Sequence, residues 1–273
     1  MEAAADERTI SAREGLLDAV EALGPHSEAV ILVGAQAIYV HVGEAGAGFA
    51  VSPFTYDADI ALDPALLGSD PTIIDAMAGA GFNLTGQPGL YRRESGVQVD
   101  LLVPAAVGGP GRRGARLDVH GNRAAMKVHG LEGALVSHTS REIGSLIPVS
   151  SRSCVMEVAG PAALLVAKVH KISERVDDPA RRATVDKDAF DIYRILLAVD
   201  TSELAAEVRL LQANTVSRGV TSEAMTKFRE LFGTRSGPGT ELVVQHVLGL
   251  EDPDYIAASS EALSHDLLDA TSH

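Results

Sequence analysis

The hydrophobic period changes once along this chain, at Pro161. Before it, short apolar runs alternate with turns rich in Gly and Pro; after it, apolar positions recur at helical spacing almost to the end. A period of two suits a strand and a period of 3.6 a helix, so the two parts cannot share one architecture. The pattern predicts an α/β (α+β) domain over residues 1–158, built on a mixed sheet with flanking helices. An all-helical domain over 159–273 is expected to follow.

Within the first part, a helix is expected over 12–23, stopped by Gly24 and Pro25. Residues 29–33 (AVILV) form a continuous apolar run, read as a buried strand that ends at Gly34. A helix over 35–42, a glycine-rich loop over 44–52 and a strand over 56–62 come next. A helix over 71–79 carries Asp70 as its expected N-cap. Strands are predicted at 82–85, 91–93 and 97–103, with shorter pieces up to Val158. The second part reads as helices over 161–175, 185–198, 202–212, 222–232, around 242–250, and 255–268.

The chemistry-bearing feature is Phe54-Thr55-Tyr56-Asp57-Ala58-Asp59-Ile60-Ala61-Leu62-Asp63. On a strand, residues two apart share a face, so Asp57 and Asp59 project together while Ala58 turns inward. A third carboxylate, Asp100, sits between apolar neighbours on the strand at 97–103. If these strands are adjacent, three carboxylates meet, and like charges so placed repel unless a cation neutralises them. Oxygen-only ligands favour Mg²⁺ or Mn²⁺ over zinc. Such a set suits phosphoryl or nucleotidyl transfer. An isolated Asp-x-Asp is also common at solvated loop ends. Asp63 reads as that kind of residue, capping the turn before Pro64. Upstream, Leu32-Val33-Gly34-Ala35-Gln36 places a glycine where a strand passes into a helix. There the free N–H groups of Gly34, Ala35 and Gln36 could cradle an anion, or simply make a tight turn.

Strand–Gly–helix, then Asp-x-Asp, then a later strand with a third Asp resembles the nucleotidyltransferase fold of the DNA polymerase β superfamily. Two further stretches are similar to motifs of its AbiEii/MenT toxin branch: Lys168-Val169-His170-Lys171-Ile172-Ser173-Glu174-Arg175, and Lys187-Asp188-Ala189-Phe190-Asp191-Ile192-Tyr193-Arg194. The resemblance covers about Val30 to Leu197. It implies a Mg²⁺-dependent enzyme using an NTP, with Asp57, Asp59 and Asp100 as metal ligands and Asp191 as a further functional carboxylate. It also implies that Lys168, Lys171 and Arg175 join Gly34, Ala35 and Gln36 in holding the nucleotide. Asp188 and Asp191 could instead pair with Lys168 or Arg175. Many members carry Gly-Ser where this chain has Gly34-Ala35, so the serine contact to phosphate is expected to be absent or replaced. Thr55 and Tyr56 are expected at the mouth of the site.

The toxin branch implies an RNA acceptor such as tRNA and a cognate antitoxin. A formal net charge of −14 argues against an indiscriminate nucleic-acid binder. Locally, however, Arg112, Arg113, Arg116, Arg123, Lys127 and His129 are opposed only by Asp118. They read either as a basic rim for an RNA backbone, extended by Arg175, Arg181 and Arg182, or as a solvated loop. The alternatives are a nucleotidyltransferase acting on small polycations such as aminoglycosides, and a non-catalytic binding protein that keeps the fold. A single Cys154 allows neither an internal disulfide nor a multi-thiolate zinc site. No apolar run reaches about 18 residues, and the acidic first residues lack signal-peptide character, so a cytoplasmic protein without a membrane span is expected.

Overall fold

The computed structural model of the protein describes residues 7–43, 55, 57–178 and 185–272. The expected loop at 44–52, Phe54, Tyr56, Arg181 and Arg182 lie outside them. Two compact units are present: the described residues up to Ala37 with those of 53–159, and those of 38–52 with those of 160–273.

The first unit is built on a mixed sheet of β1 (Val30–Val33), β2 (Asp57–Leu62), β3 (Asn83–Leu84), β4 (Leu90–Arg92), β5 (Gln98–Pro104), β6 (Met126–Val128), β7 (His138–Gly144) and β8 (Ser153–Ala159). Its order is β3-β4-β5-β2-β1-β8-β7, with β6 paired to the far end of β5. β1 is antiparallel to β2 and parallel to β8, and β2 is parallel to β5. The central β1 is buried at all four positions, which explains its unbroken apolar run. β2 and β5 alternate instead: Ala58, Ile60, Val99 and Leu101 are fully buried, whereas Asp57, Asp59 and Asp100 are only partly so.

Helix α1 (Glu7–Ala22) lays Ala12, Leu16, Leu17 and Ala19 on this sheet. It begins five residues before the expected start. Gly15 allows the close approach, since a Cβ there would lie 2.3 Å from Val97 Cγ1. Helix α2 (Gly34–Val42) follows β1 directly. Helix α3 (Ile73–Gly79) corrects the expected N-cap: Thr72, not Asp70, accepts from the Asp75 N–H and donates to its carboxylate. Thr72 sits in extended backbone just before the first turn, where a cap must be. Asp63 is the turn residue expected, its Oδ1 accepting from Ala65 N at 2.9 Å.

The second unit contains α4 (Pro161–Ser173), α5 (Val185–Ala198), α6 (Thr201–Ala213), α7 (Arg218–Phe232), α8 (Pro238–His246) and α9 (Pro253–Thr271). α4 is buried along most of its length and packs on α5 and α7, while α5 packs on α8 and α6 on α9. α4 ends before Arg175, which the sequence placed inside the helix. α8 starts earlier than expected because Gly237-Pro238 sets its first turn. No helix among the described residues is long and apolar enough to cross a membrane.

Candidate metal centre

The register of β2 on β5 sets Asp57 opposite Gln98 and Asp59 opposite Asp100. Paired residues on neighbouring strands point to the same side of the sheet, so the three carboxylates converge. One oxygen from each lies within 4.8 Å of the others. That is close to the ~4.2 Å that two oxygens on opposite sides of one Mg²⁺ span with bonds of about 2.1 Å. Without a cation, an ionised pair 4.8 Å apart repels by roughly 3.5 kcal/mol at an effective dielectric constant near 20, and a closer pair by more. The donor set is all carboxylate oxygen, which fits Mg²⁺ or Mn²⁺.

The turn from β1 into α2 closes one side of the cluster. Gly34 has φ +69°, and a Cβ on it would come 2.0 Å from Asp59 Oδ2. Only a glycine leaves room for that carboxylate while adopting the left-handed backbone. The first N–H groups of α2 start here and lack intrahelical acceptors. Ala35, buried beside it, has only a methyl side chain and so adds no polar contact.

Three side chains to which the sequence assigns no such role position the carboxylates and their strand. Thr55 is buried, and its hydroxyl donates to Asp57 Oδ1 at 2.9 Å. Gln98 Nε2 donates to Asp100 Oδ1 at 3.1 Å, and Gln98 Oε1 accepts from Arg92 on β4 at 2.8 Å. Gln36 contributes more than a backbone amide. Its buried side chain donates to the carbonyls of Ala12 (3.3 Å) and Asp57 (3.2 Å) and accepts from Arg13 Nε at 2.8 Å. It thereby ties the start of β2 to α1. The signal was available for two of these: Thr55-x-Asp57-x-Asp59 and Gln98-x-Asp100 continue one polar face at period two.

The helical unit holds a second charged group. Lys168 is buried, with Nζ 2.5 Å from Asp188 Oδ1 and 2.7 Å from Asp191 Oδ2. Lys171 adds a contact to Asp188 at 3.0 Å, and Arg194 stands 4.0 Å from Asp191. Burial opposes the charge on Lys168, but the two carboxylates outweigh it and raise the pKa above the ordinary lysine value. Of the two readings of Asp188 and Asp191, the structure shows the pairing with Lys168. Arg175 is half-buried in the turn after α4.

Of the basic residues near β6, Lys127 and Arg123 are engaged with loop carbonyls. Lys127 Nζ donates to Gly109 O at 2.9 Å and to Gly111 O, and Arg123 donates to Thr85 O at 2.7 Å. Arg112, Arg113, Arg116 and His129 are exposed.

Compared with known proteins, the chain matches no family model, no curated protein and no solved structure at a significant level.

Proposed function

We propose that the protein is a divalent-metal-dependent nucleotidyltransferase, moving a nucleoside monophosphate from an NTP to an acceptor hydroxyl. The observation that carries this reading is the convergence of Asp57, Asp59 and Asp100 beside the Gly34 turn. The three carboxylates would hold Mg²⁺ or Mn²⁺, which on binding supplies charge neutralisation at the phosphates and acidifies the acceptor hydroxyl. The free N–H groups at the start of α2 offer donors to phosphate oxygens. The acceptor oxygen bonds to the α-phosphorus, the bond from that phosphorus to the β-bridging oxygen breaks, and pyrophosphate leaves. Asp100 takes the acceptor's proton, with Gln98 fixing one of its oxygens.

RNA is the acceptor that one further feature favours. Arg112, Arg113 and Arg116 are exposed and form no ion pair among the described residues, a disposition suited to a phosphate backbone. In this reading the protein acts as an AbiEii/MenT-like toxin in the cytoplasm, on tRNA or a similar RNA, under a cognate antitoxin. Incubation with each labelled NTP, Mg²⁺ and either bulk tRNA or an aminoglycoside panel tests it. Label should enter RNA, and Asp57→Asn or Asp59→Asn should lower the rate by on the order of 10² or more. Undiminished transfer by both variants would remove the site assignment. Label in an aminoglycoside but never in RNA would replace the acceptor.

A further inference from the structure

The last part of the chain has a one-sided charge: residues 236–273 contain seven Asp and Glu and no Lys or Arg. This stretch forms α8 and α9, which pack on each other and border a groove of about 830 Å³ in the helical unit. That volume lies within the ~300–1,000 Å³ of ordinary ligand sites. Leu242, Val244 and Ala257 give the groove an apolar component, and Asp186, Glu241 and Asp254 an acidic one. The lining has one basic side chain, Arg235, and it is held by Glu261 at 3.0 Å. Asp186 shares His246 at 3.1 Å, whereas Glu241 and Asp254 are exposed and form no ion pair among the described residues.

Large apolar side chains are also exposed on the stretches of chain that run between the lining residues. The connection from α8 to α9, flanked by the lining residues Gln245 and Pro253, leaves Leu248 58% and Leu250 55% exposed. Tyr255, in the first turn of α9, is 65% exposed. Three large side chains exposed within ten residues of chain that also supply an acidic lining are unlike a plain solvated helix face.

We propose that this groove is a docking site for a basic amphipathic polypeptide segment of a partner protein, its Lys or Arg side chains meeting Glu241 and Asp254 and its apolar side chains covering Val244, Leu248 and Tyr255. Charge complementarity selects the occupant. A nucleic acid is repelled by the same carboxylates, and a polyamine satisfies the charges but leaves the apolar surface uncovered. The inference does not depend on the nucleotidyltransferase reading, because the sheet carboxylates take no part in it.

The test uses the full chain and a fluorescent peptide helix with lysines on one face and leucines on the other, followed by anisotropy at low salt. Its counterpart with glutamate for lysine serves as the control peptide, and spermine as a competitor. The lysine peptide should bind and the glutamate peptide should not. The Glu241→Lys/Asp254→Lys pair should weaken binding by about tenfold or more, and Tyr255→Ala by about threefold or more. Asp266→Lys/Asp269→Lys makes the same change in net charge on the exposed side of α9, outside the groove lining, and should leave binding within about twofold. Equal losses in both charge-reversed pairs, no peptide binding, or full displacement by spermine with no effect of Tyr255→Ala would overturn the proposal.

Discussion

The Asp59 carboxylate fills the volume that a side chain on Gly34 would need, with Oδ2 only 2.0 Å and Cγ 2.7 Å from the position of an added Cβ. Two adjacent strands therefore share one small space, and the chain meets the conflict by omitting a side chain on β1's exit. Gly34→Ala would strain a backbone at φ +69° and turn the Asp59 carboxylate away from Asp57 and Asp100. The left-handed conformation alone costs a non-glycine residue about 1–2 kcal/mol. For a chain of this size that lowers Tm by about 2–4 °C per kcal/mol. Gly219→Ala in α7, where an added Cβ meets nothing within 4 Å, should be neutral or slightly stabilising. Calorimetry of both variants, with Mn²⁺ titrated into each, reads the difference. Gly34→Ala should also lose Mn²⁺ binding, and wild-type affinity in that variant would show that Asp59 is not held as described.

Removing one charge from the cluster should have opposite effects with and without metal. In EDTA, Asp57→Asn or Asp100→Asn relieves like-charge repulsion, so the variant should unfold at the same temperature as the wild type or a higher one. With Mn²⁺ in excess, the wild type gains stability by mass action and the variant gains little. Thermal unfolding with EDTA and with millimolar Mn²⁺ gives both arms. A wild type unmoved by Mn²⁺ and Mg²⁺ alike would mean that the three carboxylates hold no ion.

The parts of this site that could be read from the sequence are those fixed by local rules. Asp57 and Asp59 share a face because the strand period is two, and Gly34 stands out because a buried run ends on it. The pairing of β2 with β5 was not legible, since nothing within either strand names its neighbour. Register alone sets Asp59 against Asp100. Local rules also failed where two residues compete for one role. Asp70 and Thr72 are both good caps, and the choice depends on which one enters the helix in extended backbone. For Lys168 the sequence leaves two roles open, holding the nucleotide or pairing with Asp188 and Asp191, because helical spacing does not say which way the lysine faces. Its burial follows from Asp188 and Asp191, which occupy one face of the next helix and engage its ammonium.

That ion cluster should be costly to break from one side. Lys168→Met removes the cation that touches both buried carboxylates, leaving Asp191 with Arg194 at 4.0 Å and Asp188 with Lys171. Loss of one partner of a buried pair typically costs 3–5 kcal/mol. Adding Asp188→Asn and Asp191→Asn to Lys168→Met should restore part of the loss, because the orphaned charges go too. Urea unfolding of the single and triple variants measures the recovery. A triple variant less stable than the single one would mean that the cluster acts by shape rather than charge.

The same cluster predicts an acid-dependent loss with a defined window. Burial alone would raise the Asp188 pKa, but Lys168 and Lys171 outweigh it by charge and hydrogen bonding and hold it at about 2, against an ordinary 3.8. A carboxylate depressed on folding stabilises the folded state fully above its unfolded pKa, and that contribution disappears as pH falls through the folded value. Asp188 should therefore contribute about 2 kcal/mol above pH ~4, fading toward pH ~2. Because other carboxylates titrate in the same range, the informative quantity is the stability difference between wild type and Asp188→Asn. Urea unfolding at pH 7, 4, 3 and 2.5, followed by helical circular dichroism, should show that difference steady down to pH ~4 and shrinking below it. A difference that stays constant from neutral pH to 2.5 would mean that Asp188 is not ionised in the folded protein.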